Sequence, residues 1–203
     1  MAVGALCSKL KVGDLVWGVT KGAYAEYQIV VCPITGKLPT SVSPRDVGTL
    51  PEVGMTSAQA LRKTGAPWAN TTAGGGPTVV ITSGSGGTGF VAIQIAKYYG
   101  AGKVITATSG AENIAFVKSL GADVVVDYRT QDIFSALQND TVDVVYDNYG
   151  APGTADLAMP KLRAGGTFIF LPGKNGALSK HPKEGVKQIN YGLMVREMKP
   201  VPL

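Results

Sequence analysis

The hydrophobic positions of this chain change their period after the first third of the sequence. Before that point, short apolar runs at 14–19 and 25–31 are separated by turn residues, as is typical of β-strands. A helical pattern follows at 53–63, and a loop rich in Gly, Pro, Asn and Thr then covers 65–77. The first part therefore predicts a small β structure that does not alternate with helices.

Beyond the loop, apolar β-branched runs alternate regularly with helix-like patterns. The pattern predicts strands at 79–82, 104–108, 124–127, 142–146, 167–171 and 191–195, and helices at 88–99, 113–120, 131–138 and 154–162. Strands that alternate with amphipathic helices pair in parallel and are covered on both faces. The predicted fold class is α/β, with a Rossmann-type parallel sheet and helices on both faces.

The strand predicted at 79–82 ends in a glycine-rich turn, and a helical pattern begins directly after it. Residues 84–89 read G-S-G-G-T-G, which matches the dinucleotide pattern G-x-G-x-x-G. Such a turn leaves the first N–H groups of the helix unpaired at the positive end of its dipole, and both features favour a phosphate. We expect the diphosphate of a dinucleotide to be held by Ser85, Gly86, Gly87 and Thr88.

Composition limits the other classes of function. The chain of 203 residues is 45% hydrophobic and 16% charged, as expected of a folded protein. Its net charge of +5 is not concentrated in a basic run, so no nucleic acid partner is predicted. No apolar stretch approaches the roughly 20 residues that cross a membrane, so no membrane partner is predicted. The expected location is the cytoplasm, with an organelle as the alternative.

Cysteine and histidine are scarce. Cys7 and Cys32 lie far apart in sequence and belong to no C-x-x-C motif, which predicts no disulfide and a reducing compartment. His181 is the one histidine, so neither a histidine-rich metal site nor a Ser-His-Asp triad is expected. We predict no metal site.

A series of short motifs adds a family resemblance. In chain order they are K-V-G-D-L-V-W-G (11–18), G-A-Y-A-E-Y (22–27), L-P-E-V-G-M-T-S-A (50–58), S-G-S-G-G-T-G (83–89), Q-I-A-K (94–97), K-S-L-G-A-D (118–123), D-Y-R (127–129), V-V-Y-D-N-Y-G (144–150) and G-G-T-F (165–168). In order and spacing, the chain resembles zinc-independent medium-chain dehydrogenase/reductases of the quinone oxidoreductase and enone (2-alkenal) reductase type.

The resemblance implies two domains and a reaction. It implies a partial GroES-like catalytic domain at 1–52 and a Rossmann domain, incomplete at its C-terminus, at 53–203, with the nicotinamide between them. The implied reaction is NADPH-dependent reduction of a quinone, or of the double bond of an α,β-unsaturated carbonyl. Complete members extend further at both ends, so we expect a fragment or a truncated isoform. The alternative function is therefore a non-catalytic NADP(H)-binding scaffold or regulatory partner.

The end of the strand at 104–108 bears on the choice of coenzyme. An acidic residue there would bind the ribose 2′-hydroxyl and repel a 2′-phosphate. This chain instead has Thr108 and Ser109, whose hydroxyls can donate to phosphate oxygens, and this favours NADPH over NADH. Glu112, slightly further on, either opposes the phosphate or lies in solvent.

The resemblance and the strand ends suggest further cofactor contacts. Tyr128 is expected at the adenine or the 2′-phosphate, and Asn148 near the nicotinamide ribose. The backbone of Leu171 and Gly173 is expected at the nicotinamide carboxamide, and the Thr56 hydroxyl facing the nicotinamide ring. We assign no catalytic residue, because hydride passes directly from the cofactor to the substrate and the proton can come from water or a hydroxyl.

Two further hypotheses remain. A methyltransferase that uses S-adenosylmethionine is a different Rossmann enzyme, but it needs an acidic residue at the end of the second strand, where this chain has none. A homodimer is expected if the strand at 191–195 pairs with its copy and covers an exposed sheet edge.

Overall fold

The computed structural model describes residues 2–48, 50–68, 75–172 and 176–192. Two compact units account for these residues, one comprising residues 1–56 and the other residues 57–193. The division falls inside a helix, α2, which spans Leu50–Lys63. The assignment of 1–52 to a partial GroES-like domain stays a prediction.

The first unit contains little regular structure in its described residues. Strands β1 (Val16–Trp17) and β2 (Gly36–Lys37) pair antiparallel, a 3-10 turn spans Cys32–Ile34, and helix α1 spans Pro44–Val47. The Ser43 hydroxyl caps α1 by accepting a hydrogen bond from Arg45 N at 3.2 Å.

The strand predicted at 25–31 is wrong, and the one predicted at 14–19 shortens to two residues. Within the described residues, no strand lies beside 25–31, and its apolar side chains face solvent, with Ile29 90% exposed. A β-branched run forms a strand only where a partner strand takes its backbone hydrogen bonds, and the apolar pattern does not show whether that partner exists.

The prediction of unpaired cysteines is also wrong. Cys7 and Cys32 form a disulfide, with their Cα atoms 5.8 Å apart. Two turns bring them together: Cys7 N donates to Gly4 O at 2.9 Å, and Cys32 begins the 3-10 turn. Lys9 Nζ also reaches Pro33 O at 3.1 Å. Such proximity across 25 residues depends on loop geometry that spacing alone does not show.

The second unit is an α/β sheet. After α2 its elements are β3 (Thr78–Ile81), α3 (Gly87–Tyr98), β4 (Lys103–Thr108), α4 (Ala111–Ser119), β5 (Val124–Asp127), β6 (Val142–Asp147), α5 (Thr154–Ala158), β7 (Leu162–Phe170) and β8 (Lys187–Asn190). The strand order is β5-β4-β3-β6-β7-β8, and every neighbouring pair is parallel. The predicted fold class is confirmed.

Both faces of this sheet are covered by apolar side chains. Along β3, Val79 and Ile81 belong to one buried cluster and Val80 to the other, as the alternation of a strand requires. Helices α2, α3 and α4 cover the first face, where they contribute Ala60, Leu61, Ala92, Ile93, Ala96 and Val117. Helix α5 covers the second face, where it contributes Ala155 and Ala158.

Two predicted helices differ from the structure. Residues 131–138 form turns in which the Asp132 carboxylate accepts from Phe134 N at 2.9 Å and from Ser135 N at 3.0 Å. This local side-chain bond competes with helix formation, and buried Ile133 and Phe134 produce the apolar signal. The helix predicted at 154–162 ends at Ala158, before β7 begins at Leu162.

The last strand is also displaced from its predicted place. The strand predicted at 191–195 is found earlier, as β8 at Lys187–Asn190. Residues 193–195 lie outside the described residues. The pattern therefore placed a sixth strand near the correct position but four residues late at its start.

The order of the strands creates a crevice at one edge of the sheet. β3 has β4 on one side and β6 on the other, so the connections that leave β3 and β6 diverge. In open parallel sheets, ligands bind outside the carboxyl ends of the strands at such a switch point. A ligand site is therefore expected at the residues that follow β3 and β6.

Candidate functional site

The turn after β3 leads into helix α3, whose N-cap residue is a glycine. α3 begins at Gly87, and the preceding Gly86 is extended, with φ −71° and ψ 163°. No side chain in the described part of the chain caps this helix. Because the first N–H groups of a helix have no partner inside it, they are available to an acceptor outside. The positive end of the helix dipole lies at the same place.

The glycines of this turn are needed for different structural reasons. A Cβ on Gly84 would lie 2.4 Å from Thr106 Oγ1, and one on Gly89 would lie 1.7 Å from Ser83 O. These two glycines therefore allow close packing within the protein. For a Cβ on Gly86 the three nearest atoms would belong to Ser83, the nearest being Oγ at 3.0 Å. Gly86 is thus the glycine beside which a ligand can approach the backbone.

The side-chain amide of Asn148, directly after β6, holds this turn. Ser83 N donates to Asn148 Oδ1 at 2.9 Å, and Asn148 Nδ2 donates to Ser83 O at 2.9 Å. The second Nδ2 hydrogen reaches Thr88 Oγ1 at 3.1 Å. Because Ser83 offers both a backbone donor and an acceptor, the orientation of the amide is fixed by its partners.

The preceding residue, Asp147, fixes the end of β6. Its carboxylate is 1% exposed, and Oδ1 accepts from Thr82 Oγ1 at 2.8 Å and Gly150 N at 2.9 Å. Tyr149 N donates to the same oxygen at 3.2 Å. These donors compensate the buried charge, as a carboxylate inside a protein requires. Asp147 therefore joins the ends of β3 and β6.

The turn also rests against the end of β4. Gly84 N donates to Ala107 O at 2.9 Å, and the hydroxyls of Ser85 and Thr108 are 2.7 Å apart. Thr108 is 2% exposed and Ser109 is 6% exposed. One of the two paired hydroxyls donates to the other, so the pair keeps one O–H that can be offered to a ligand.

The remaining candidates at this edge occupy positions after strands. Tyr128 follows β5 and is 61% exposed, while its N–H donates to Thr108 O at 3.2 Å. Leu171 follows β7, and its N–H donates to Asp147 O at 3.0 Å. Gly173 lies outside the described residues. The fold therefore places the predicted cofactor-binding residues of the turn at 85–88 at the same sheet edge as those at the ends of β4, β5, β6 and β7.

Thr56 belongs to the first unit and is described within α2. It is 2% exposed, and its hydroxyl has no hydrogen-bond partner among the residues that the structure describes. Its predicted role at the nicotinamide stays a prediction.

A buried polar group that sequence reasoning missed lies beneath the turn. Ser57 Oγ donates to Thr88 O at 2.9 Å, and the fully buried Tyr146 hydroxyl has no well-formed hydrogen bond in the described part of the chain. Burial raises the pKa of Tyr146 to about 12, although the nearby Ser57 and Thr88 act in the opposite direction. The signal in the sequence was a tyrosine at a core position of V-V-Y-D.

The described residues offer no set of metal ligands. Across 2–48, 50–68, 75–172 and 176–192, no group of three or more His, Cys, Asp or Glu side chains lies together. None of the helices in these ranges combines the length and the hydrophobicity that crossing a membrane demands.

Comparison with known proteins agrees with this geometry. Residues 87–191 match the family model described as zinc-binding dehydrogenase. A quinone-oxidoreductase homolog of Spinacia oleracea, named as chloroplastic, is 35% identical over 185 residues, or 87% of this chain and 54% of that protein. A chloroplastic NADPH-dependent alkenal/one oxidoreductase of Arabidopsis thaliana is 31% identical over 182 residues, or 84% of this chain and 44% of that protein.

Solved structures give the same picture of the fold. A mycobacterial protein complexed with NADPH matches with a TM-score of 0.73 and 26% sequence identity, covering 94% of this chain and 60% of that one. The chain spans about half the length of the curated relatives it matches.

Proposed function

We propose that this chain, which belongs to the zinc-binding dehydrogenase family, is an NADPH-dependent oxidoreductase. Its likeness to a quinone-oxidoreductase homolog and to an alkenal/one oxidoreductase supports this. The proposed substrate is a quinone or the double bond of an α,β-unsaturated carbonyl. One observation carries the proposal: a helix N-terminus whose N-cap residue is Gly86 lies at the switch point of a parallel sheet.

The residues present fit the diphosphate of the cofactor. Backbone N–H groups at 85–88 would hold its oxygens, because none of them has a backbone acceptor within the described residues and Gly86 keeps a Cβ out of the way. Asp147, the nearest buried carboxylate along β6, has its Oδ1 occupied by several donors. A diphosphate is therefore favoured over a cation at this turn.

The other end of the crevice fits a 2′-phosphate. β4 ends at Thr108 without a carboxylate, and the Ser85–Thr108 hydroxyl pair keeps one donor for a phosphate oxygen. Glu112 is exposed in the first turn of α4, which supports a place in solvent. Tyr128, also exposed, is proposed to lie against the adenine. These features support NADPH over NADH.

The protein's own contribution to the reaction is binding and orientation. The bound cofactor supplies a hydride for the substrate. The turn at 83–88 and the ends of β4 and β6 hold the dinucleotide in one place, and this positioning lowers the entropic part of the barrier. We assign no general acid. The donor set in the described residues does not fit zinc, so no step is derived through a metal.

A direct assay tests the proposal. We expect NADPH mixed with the protein and methyl vinyl ketone, or with a quinone, to lose the absorbance of the reduced nicotinamide faster than protein-free controls. Binding of NADPH without its consumption would support the non-catalytic alternative. A protein that binds neither coenzyme contradicts both.

The assembly and the compartment are proposals as well. β8 ends the sheet and, among the described strands, pairs with β7 alone, so its free edge suits pairing with a second copy. A monomeric mass on size exclusion would refute this homodimer. We propose the cytoplasm as the location, with a plastid as the alternative that the names of both plant relatives suggest. Imaging of the tagged protein distinguishes the two.

A further inference from the structure

The Asn148 side chain is bonded to the turn that follows β3 through both its N–H hydrogens and its oxygen. Its two N–H hydrogens go to Ser83 O and Thr88 Oγ1, at 2.9 and 3.1 Å. Its oxygen accepts from Ser83 N at 2.9 Å, with Thr82 Oγ1 a further 3.2 Å contact. A primary amide has two donor and two acceptor positions, and both donors of Asn148 are used. No N–H of this side chain is therefore left for a phosphate oxygen, while the single hydrogen of the Thr82 hydroxyl goes to Asp147 Oδ1 at 2.8 Å.

The contacts of Asn148 connect three elements at the switch point. Asn148 follows β6, Ser83 follows β3, and Thr88 is the second residue of α3. The contacts span 60 to 66 residues of sequence. Ser83 is bonded through both its N–H and its carbonyl, in the way a neighbouring strand would bond it. The amide thus fixes the direction in which the chain leaves β3 and the position of the first turn of α3.

We infer that Asn148 is a positioning residue, which orders the turn at 83–88 for a diphosphate without touching the cofactor. This inference rests on the proposed function. Backbone N–H groups bind an anion well only when they already point at it, because ordering a glycine-rich turn costs conformational entropy. The amide supplies that order through bonds that exist before any ligand arrives.

Three ligands, each lacking one further part of NADPH than the one before, can test this role. NADPH carries both the diphosphate and the nicotinamide half. Adenosine 2′-phosphate 5′-diphosphate keeps the diphosphate but lacks the nicotinamide half, and adenosine 2′-monophosphate lacks both. Dissociation constants for all three are measured with the wild type and with Asn148→Ala and Asn148→Asp. Asn139, exposed and located before β6, accepts from Lys161 Nζ at 2.9 Å, and Asn139→Ala and Asn139→Asp are the matched controls.

Both Asn148 variants are expected to weaken the two diphosphate ligands by about tenfold or more. Adenosine 2′-monophosphate is expected to weaken by less than about threefold, because it would meet the turn through the Ser85–Thr108 hydroxyl pair alone. Weakening of NADPH alone overturns the inference, because it shows direct contact with the nicotinamide half. Equal weakening of all three ligands, or of none, overturns it too. An effect confined to Asn148→Asp overturns it as well, because charge repulsion alone would then be the cause. A wild type that does not bind NADPH refutes the proposed function and this inference together.

A measurement on the unliganded wild type covers the case in which the variants do not fold. Hydrogen exchange at Ser83 N is expected to be at least about tenfold slower than at Gly86 N, because the first is bonded to Asn148 and the second has no acceptor within the described residues. Equal, fast exchange at both amides would show that the turn is not held and overturns the positioning role.

Discussion

The hydroxyl groups of Ser85 and Thr108 are hydrogen-bonded to each other, 2.7 Å apart across 23 residues of sequence. Each was expected to serve the cofactor separately, one at the diphosphate and one at the 2′-phosphate. The bond joins the glycine-rich turn to the end of β4, so the two ends of the predicted dinucleotide site are coupled.

Replacing Thr108 by valine tests this coupling. Thr108→Val keeps the shape but removes the hydroxyl that pairs with Ser85, so the affinity for NADPH should fall by about tenfold. Thr108→Ser keeps the hydroxyl and should stay within about threefold of the wild type. Titration calorimetry with NADPH measures both variants. Equal affinities of the valine and serine variants would show that the hydroxyl pair has no part in binding.

Two alanine substitutions separate glycines needed for packing from a glycine needed for the ligand. Gly89→Ala places a Cβ 1.7 Å from Ser83 O, so the free energy of unfolding should fall by about 3 kcal/mol. Gly86→Ala meets the Ser83 side-chain oxygen at 3.0 Å and should cost less than about 1 kcal/mol, while NADPH affinity falls by about tenfold. Urea unfolding and NADPH titration give the two quantities. An unchanged NADPH affinity of Gly86→Ala would show that the ligand does not bind at this turn.

Two buried tyrosines should respond differently to loss of their hydroxyls. Tyr146 has no well-formed hydrogen bond within the described residues, so Tyr146→Phe should leave the free energy of unfolding unchanged or raise it by up to about 1 kcal/mol. Tyr191 donates to Gln59 Oε1 at 2.8 Å, so Tyr191→Phe should lower it by about 1 kcal/mol. Denaturant unfolding compares the pair. If Tyr146→Phe proves the more destabilising, the Tyr146 hydroxyl has a partner that this account lacks.

Asp123 should make stability depend on pH in the acidic range. Burial raises the pKa of its carboxyl, but bonds from Lys97 and Val104 N more than offset this and hold the pKa below its usual value. A lowered pKa in the folded state adds stability above the unfolded pKa of about 4, which is lost as the pH falls through the folded pKa.

The comparison of Asp123→Asn with the wild type tests that dependence. At pH 7 the variant should be less stable by up to about 1 kcal/mol, since the ion pair is partly exposed, and the difference should shrink towards pH 2. Glu184→Gln, at an exposed position, is the control with no expected effect. A constant difference from pH 7 to pH 2 would contradict the assignment.

The sheet could be predicted because its cause is local. The β-branched runs and the glycine-rich turn are visible within a few residues, and they placed β3, β4, β5 and α3 nearly as found. The helix predicted at 131–138 is absent because the Asp132 carboxylate accepts hydrogen bonds from the backbone N–H groups of Phe134 and Ser135. Such a competing bond is invisible to a periodicity argument.

The positions of several candidate residues at the sheet edge could be predicted, but the hydrogen bonds between them could not. The ends of parallel strands meet at one edge, so Thr108, Tyr128 and Asn148 could be placed at that edge from the sequence. The amide pairing of Asn148 with Ser83 and the disulfide between Cys7 and Cys32 join residues distant in sequence. Whether the Tyr146 hydroxyl finds a partner among the described residues depends on what packs around it. These relationships require the packed chain.

The central claim is that the backbone at 85–88 binds the diphosphate of NADPH, and its most direct test is a titration followed by amide chemical shifts. On addition of NADPH, the amide resonances of these residues should shift in a saturable manner, and adenosine, which has no phosphate, should leave them unmoved. Saturable binding of NADPH with unchanged resonances at 85–88, or no binding at all, would contradict the account.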